Sequence, residues 1–137
     1  GSIIYGNASA ATTVLTKGGA ATVLTSDGTD ISWSAATGGT SWQAVVTGAT
    51  QTAVAGNGYF INTTSNACTL TLPAGTLGDE VSVIDYAGTF DTNTLTITAN
   101  GSEKIHSSTD DLTATIERAA FTLVFTDSTQ GWLLKNK

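Results

Sequence analysis

The chain has 137 residues, which is enough for one ordinary domain with a short extension. Its 11 acidic residues outnumber its 5 basic residues and give a formal net charge of −6 at pH 7. Nucleic-acid binding and attachment to an anionic membrane both depend on clustered cations, so this balance argues against both kinds of partner. No apolar run approaches the roughly 20 residues of a spanning helix, so membrane insertion is not expected either.

The composition favours an all-β fold. Only 12% of the residues are charged, so Thr, Ser, Asn and Gly must supply most of the polar surface. Thr is the commonest residue, and its branched Cβ fits a pleated strand better than a helix. A weakly charged, β-prone surface invites pairing between the sheet edges of different chains. This indicates an oligomer in which copies of the chain bury each other's edges.

Residues 1–40 are rich in Gly, Ala and Thr and contain a short internal repeat, at 13–20 and 22–29. Each repeat is a β-prone run that ends in a Gly turn, and the second turn, Asp27-Gly28, is a hairpin signal. Large apolar side chains are too few here to offset the ordering entropy of the segment. We therefore predict an extended arm or linker that packs on the main domain, packs on other copies or stays free.

Residues 41–137 show the alternation of apolar and polar residues that is typical of half-buried strands. Because turn signals recur about every ten residues, we predict an antiparallel β-sandwich or jelly roll of about seven to eight short strands. The run 81–86 is apolar on both faces, which predicts a central strand. In the run 112–116, we expect Leu112, Ala114 and Ile116 to alternate with polar residues along one strand.

Asp85 is an unusual member of the predicted central strand, because it shares a strand face with Val81 and Val83. A buried carboxylate is costly unless it is hydrogen bonded. We therefore predict that Asp85 bonds to a neighbouring turn.

The two candidate nucleophile or base residues have structural interpretations. His106 is the only His, it lies among polar turn residues, and no Gly-x-Ser-x-Gly elbow accompanies it. Cys68 lies in a strand pattern, where a small buried hydrophobe is expected instead of a nucleophile.

The acidic residues are also expected to be solvated turn residues, at Asp79-Glu80, Asp110-Asp111 and Asp27-Gly28-Thr29-Asp30. None of these runs has the ligand density of a calcium loop, and none defines a glycosidase carboxylate pair. We predict a non-enzymatic protein with no catalytic residue, no cofactor and no metal site.

The three tryptophans, Trp33, Trp42 and Trp132, allow two interpretations. Exposed aromatic rings can stack on sugars, which would suit binding to a glycan. In a chain with few large residues, tryptophans more often fill the core or an interface. These three residues are therefore candidates for glycan or interface contacts, with Trp33 the expected anchor of the arm.

An ordered set of short runs carries a family resemblance: GNGYFINTT at 56–64, TLTLPA at 69–74, LGDEV at 77–81, DYAGTF at 85–90, NTLTI at 93–97 and DSTQGW at 127–132. The set resembles a recurrent module in exterior virion proteins of tailed bacteriophages, notably those infecting cyanobacteria and other marine bacteria. The resemblance covers roughly residues 42–134. The runs 18–28 and 31–33 look like a linker of phage tail fibres.

The resemblance implies a homotrimeric structural protein on the outside of a virion, made in the host cytoplasm. It would be a module of a tail fibre or head fibre that contacts other virion proteins and can contact a host receptor or surface glycan. The alternative is a capsid decoration (cement) protein that clamps capsid subunits through its N-terminal arm. A free carbohydrate-binding module is a third, weaker interpretation.

Overall fold

A computed structural model describes residues 1–20, 22–35 and 38–136. It contains 13 short strands and no helix in the described residues, which confirms the all-β prediction. None of the described residues belongs to a helix long and apolar enough to cross a membrane. The chain divides into two compact units, which we call unit 1 (Gly1–Gly38) and unit 2 (Gly39–Lys137).

Unit 1 consists of two antiparallel hairpins, formed by β1 (Ile3–Gly6) with β2 (Thr12–Leu15) and by β3 (Thr22–Ser26) with β4 (Ile31–Ala35). The two sequence repeats supply β2 and β3, so they belong to different hairpins. The predicted Asp27-Gly28 turn joins β3 to β4. There Asp27 Oδ1 accepts the backbone N–H groups of Thr29 and Asp30, each at 2.8 Å, and Gly28 has a φ of 89°.

Unit 2 contains nine strands in two sheets: β5 (Ser41–Trp42), β6 (Thr50–Thr52), β7 (Asn57–Ile61), β8 (Cys68–Thr71), β9 (Glu80–Asp85), β10 (Leu95–Thr98), β11 (Leu112–Ala114), β12 (Ala120–Phe125) and β13 (Trp132–Asn136). The five-stranded sheet has the order β13-β12-β9-β7-β5, and the four-stranded sheet has the order β11-β10-β8-β6. Strand β9 is central in its sheet, as predicted.

The winding of unit 2 corrects the prediction of purely antiparallel sheets. From β5 to β10 the chain alternates between the two sheets, so β5, β7 and β9 are parallel, as are β6, β8 and β10. Antiparallel pairing is confined to β10–β11, β9–β12 and β12–β13. The predicted sandwich is confirmed, but alternating apolar residues look the same in parallel and antiparallel strands, so the sequence pattern could not separate them.

The hydrophobic core lies between the two sheets of unit 2. Its largest fully buried side chain is Trp132, whose ring makes an edge contact with Phe125 at a centroid distance of 5.5 Å. The Trp132 indole N–H donates to Glu103 Oε2 at 3.3 Å, so its polar atom is satisfied inside the core. The other core residues come from β7, β8, β9, β10 and β12 and from segments between strands: Ala53, Tyr59, Ile61, Cys68, Leu70, Leu72, Val81, Val83, Phe90, Leu95, Ile97, Ile105 and Leu123.

Candidate contact site

A cleft of about 550 Å³ opens beside β11 and β13, which are the edge strands of the two sheets. Leu112 and Ala114 line it from the four-stranded sheet, and Phe121 and Leu134 line it from the five-stranded sheet. All four side chains are half-buried and pack against the core. The cleft is therefore an extension of the core that reaches the solvent.

The strand register explains why these side chains point into the sandwich. Phe121 lies opposite the buried Val83, and Leu134 lies opposite the buried Leu123. Paired residues of neighbouring strands share a face, so both lining residues belong to the core side of the sheet. They remain half-exposed because each sheet ends near them, at β11 and β13.

The rim of the cleft is the segment that joins β11 to β12. Ile116, in this segment, is 72% exposed. The expectation that Ile116 continues the β11 strand is wrong, because β11 ends at Ala114. The chain then turns so that Arg118 adopts a φ of 58°, in the left-handed region that ends strand geometry.

Asp85 is the group that holds this turn in place. Its side chain is only 3% exposed, and its two carboxylate oxygens accept four backbone N–H groups. Three of these belong to the neighbouring turn, at Gly88 (2.9 Å), Thr89 (3.2 Å) and Phe90 (3.3 Å), which confirms the predicted bonding. The fourth is the N–H of Arg118 at 3.0 Å, which the sequence did not predict. One buried carboxylate therefore ties the rim of the cleft to β9.

The rim also carries one acidic and one basic side chain, Glu117 and Arg118, and both residues are exposed. The Arg118 guanidinium donates to the backbone carbonyl of Tyr86 at 3.4 Å. Arg118 also lies against Gly88, where a Cβ would come within 2.5 Å of the guanidinium Nε. The rim thus presents an exposed aliphatic side chain, a negative charge and a positive charge within three consecutive residues.

The structure does not bring the three tryptophans together. Trp132 is fully buried in unit 2 and offers no ring face to a glycan, so it is a core residue. Trp42 is 45% exposed and stacks on Phe60 at a centroid distance of 4.8 Å. Trp33 belongs to unit 1 and is half-buried, and its indole N–H donates to the carbonyl of Thr16 at 2.7 Å.

Trp42 and Trp132 lie on opposite faces of the same sheet. Trp42 pairs with Gly58, which pairs with Ser82 on the face that points away from the core. At Gly58 a Cβ would come within 2.5 Å of the Trp42 ring, so a glycine is needed there for the indole to pack. Of the three tryptophans, only Trp42 is exposed enough to be a glycan contact.

Cys68 and His106 occupy different surroundings. The Cys68 side chain is buried in β8, and this burial raises the pKa of its thiol, which disfavours the nucleophilic thiolate. His106 lies on an exposed turn, where its Nε2 accepts the backbone N–H of Leu134 at 3.3 Å.

The acidic residues mostly bond within their own turns. Asp79 Oδ2 accepts the backbone N–H of Thr76 at 2.9 Å, and Asp110 Oδ2 accepts the hydroxyl of Ser108 at 2.9 Å. Glu80 instead forms a 2.7 Å ion pair with Lys135 of β13. Across residues 1–20, 22–35 and 38–136, no three His, Cys, Asp or Glu side chains are close enough together to hold a metal ion.

Comparisons with protein-family models and with curated protein sequences gave no match to this chain.

The sequence pattern missed the cleft residues Ile116, Phe121 and Leu134 as a group. In the sequence, Phe121 and Leu134 look like ordinary core residues. Their partial exposure depends on which strands lie next to them in the sheet, and the sequence pattern does not contain this information. The one available signal was the charged pair Glu117-Arg118, which marks the end of the alternating run at Ile116.

Proposed function

We propose that this chain is a non-enzymatic structural protein of a tailed-phage virion, a homotrimeric exterior module of a tail fibre or head fibre. The observation that carries the proposal is the exposed apolar surface of unit 1. Within the described chain, unit 1 supplies none of the fully buried hydrophobic side chains, and most of its large aliphatic residues are exposed: Ile3 (37%), Ile4 (71%), Val14 (58%), Val23 (45%) and Leu24 (44%).

This surface favours a role in assembly for a physical reason. Burying one Val, Leu or Ile side chain fully is worth about 1.5–3 kcal/mol. A segment that leaves five of them partly in water gains stability when another surface covers them, and other copies or other virion proteins can provide that surface.

The family resemblance supports the location on the virion. Its runs coincide with structural elements of unit 2: GNGYFINTT contains β7, TLTLPA contains most of β8, and DSTQGW leads into β13. DYAGTF forms the turn whose backbone N–H groups bind Asp85. The residues behind the resemblance therefore build the sandwich itself.

The second candidate function is capsid decoration. The exposed aliphatic residues of unit 1 favour it equally, because an arm that clamps capsid subunits also needs apolar side chains to bury. A fibre module and a decoration protein could each also contact a host glycan. The exposed Trp42 ring, stacked on Phe60, supports such a contact.

Immunogold labelling of the parent phage with antibody against this chain tests the proposal. We expect gold on the tail or on fibres that project from the head. Gold spread evenly over the head would support the decoration protein instead. Particles that carry no gold, while the antibody recognises the purified chain, would contradict a virion role.

The homotrimer has its own test. Light scattering of the purified chain should give three times the monomer mass of 13.9 kDa. A mass of 13.9 kDa at micromolar concentration would contradict the trimer but would leave the virion location to the labelling experiment.

A further inference from the structure

We propose that the cleft beside β11 and β13, with Ile116 on its rim, is the surface on which a second copy of this chain docks. This inference rests on the proposed role as a structural protein built from several copies.

The cleft is suited to receive aliphatic side chains. Its walls contain Leu112, Ala114, Phe121 and Leu134, which are half-buried and continuous with the core. Its volume of about 550 Å³ leaves room for several side chains of a neighbouring molecule. Side chains that fill the cleft would cover the part of the core that β11 and β13 leave open to water. The free energy gained is proportional to the apolar area that is covered.

Ile116 is suited to be the inserted side chain. It is 72% exposed, and its segment is fixed because Asp85 binds the backbone of Arg118. An exposed aliphatic residue on a fixed segment loses little conformational entropy on binding, so more of its burial free energy appears as affinity.

The same patch supplies both halves of an interface, and this favours a second copy over an unrelated partner. Identical chains that close into a trimer need two complementary parts on each copy, so that each copy binds the next one in the ring. Here the recess and the exposed Ile116 lie side by side, and Glu117 adjoins Arg118. Around a threefold axis, each copy can therefore offer Ile116 to the cleft of the next copy and pair its Glu117 with the Arg118 of that copy.

The charge pair also addresses a general obstacle to self-association. Each copy has a net charge of −6, so two copies repel each other at long range. Opposite charges at the rim reduce that repulsion at the point of contact. Arg118 can serve both contacts, because its guanidinium has five N–H donors and uses one for the carbonyl of Tyr86.

The experiment compares the assembly of the full-length chain with that of two aspartate variants, by light scattering across a micromolar concentration series. Ile116→Asp places a charge in the proposed interface. Leu77→Asp is the matched control, because Leu77 is a similarly exposed aliphatic residue (78%) on a loop that does not line the cleft. Circular dichroism and urea unfolding verify that both variants are folded.

We expect Ile116→Asp to raise the dissociation constant of the assembly by at least about 30-fold, as for a central interface residue, and Leu77→Asp to leave it unchanged. Glu117→Arg and Arg118→Glu should each weaken assembly, and the double variant should restore it because the opposite charges are present again. A purely structural role of these residues would not produce that rescue.

Wild-type assembly that Ile116→Asp leaves unchanged would overturn the cleft as the docking surface, while the virion role would still stand. A wild-type chain that is monomeric and whose cleft instead binds an apolar dye would also overturn it and would point to a small apolar ligand. The location of the protein on the phage is decided separately by the immunogold labelling.

Discussion

The two units of this chain are both rich in Thr but differ in what they bury. Unit 1 forms hairpins between neighbouring strands, and most of its large aliphatic side chains remain exposed. Unit 2 pairs strands that are distant in sequence, and its two sheets enclose a core in which Leu70, Leu95 and Ile97 are fully buried. Both units are rich in Thr and Gly, so strand-forming composition alone does not decide stability.

Strands form a core only when a second sheet covers one of their faces. A two-stranded hairpin has two faces in contact with water and is marginal by itself. Two stacked sheets bury one face of each, and the buried area then offsets the ordering entropy.

The largest effect that would test this comparison is the truncation of the main core residue. We expect Trp132→Ala to lower the free energy of unfolding of unit 2 by about 3–5 kcal/mol, because it leaves a cavity in the core and removes the indole donor to Glu103 Oε2. Trp42→Ala, on the exposed face of the same sheet, should cost much less. Urea unfolding followed by far-UV circular dichroism measures both, and equal losses would contradict the assignment of the two faces.

The next largest effect concerns the buried carboxylate that ties two turns together. Asp85→Ala leaves four backbone N–H groups without their acceptor and should cost about 3 kcal/mol. Asp85→Asn keeps one acceptor oxygen and should lose less. Asp79→Ala is a suitable control, because Asp79 accepts one N–H on an exposed turn. A loss no greater than that of the control would show that Asp85 does not organise the rim.

The Cys68 thiol should make the stability of unit 2 depend on alkaline pH. Burial raises the pKa of this thiol in the folded chain above its ordinary value of about 8.5. Its contribution is therefore fully present below pH 8.5 and is lost as the pH rises towards the folded-state pKa, because the unfolded chain releases the proton first. Unfolding at pH 7 and pH 9.5 should show a larger decrease for the wild type than for Cys68→Val, and identical decreases would contradict it.

The smallest effect should come from unit 1. Ile4→Thr replaces a side chain that is 71% exposed and should change the free energy of unfolding of the isolated chain by no more than about 0.5 kcal/mol. Ile97→Thr, in the core of unit 2, should be strongly destabilising. Differential scanning calorimetry at a concentration where the chain does not associate compares the two. A large loss for Ile4→Thr would mean that unit 1 has a core after all.

Local patterns in the sequence were sufficient to predict much of the fold. The alternation at Leu95 and Ile97 marked a half-buried strand, and the position of Asp85 beside Val81 and Val83 marked a buried carboxylate that needs partners. These properties depend on the strand period and on the cost of burying charge, and both can be evaluated from a few neighbouring residues.

The winding and the contact site could not be predicted in this way. Whether β7 pairs with β9 in parallel depends on where the chain crosses between sheets, and a single strand carries no trace of that choice. Trp42 and Trp132 are the same residue type, and only the sheet face that each occupies makes one exposed and the other buried. Ile116 looked like the end of a strand because the bond from the Arg118 N–H to Asp85 joins positions far apart in the sequence.

The winding of unit 2 also sets the order in which the protein can fold during synthesis. Strands β5 to β10 each meet their parallel partners soon after they emerge, but β9 waits for β12, and the paired hydroxyls of Ser82 and Thr122 are 40 residues apart. Until β12 arrives, β9 has one free edge and its valines lack part of their cover. Nascent chains at this stage would be the most prone to aggregate, and translation pauses between β9 and β12 would be the most harmful to yield.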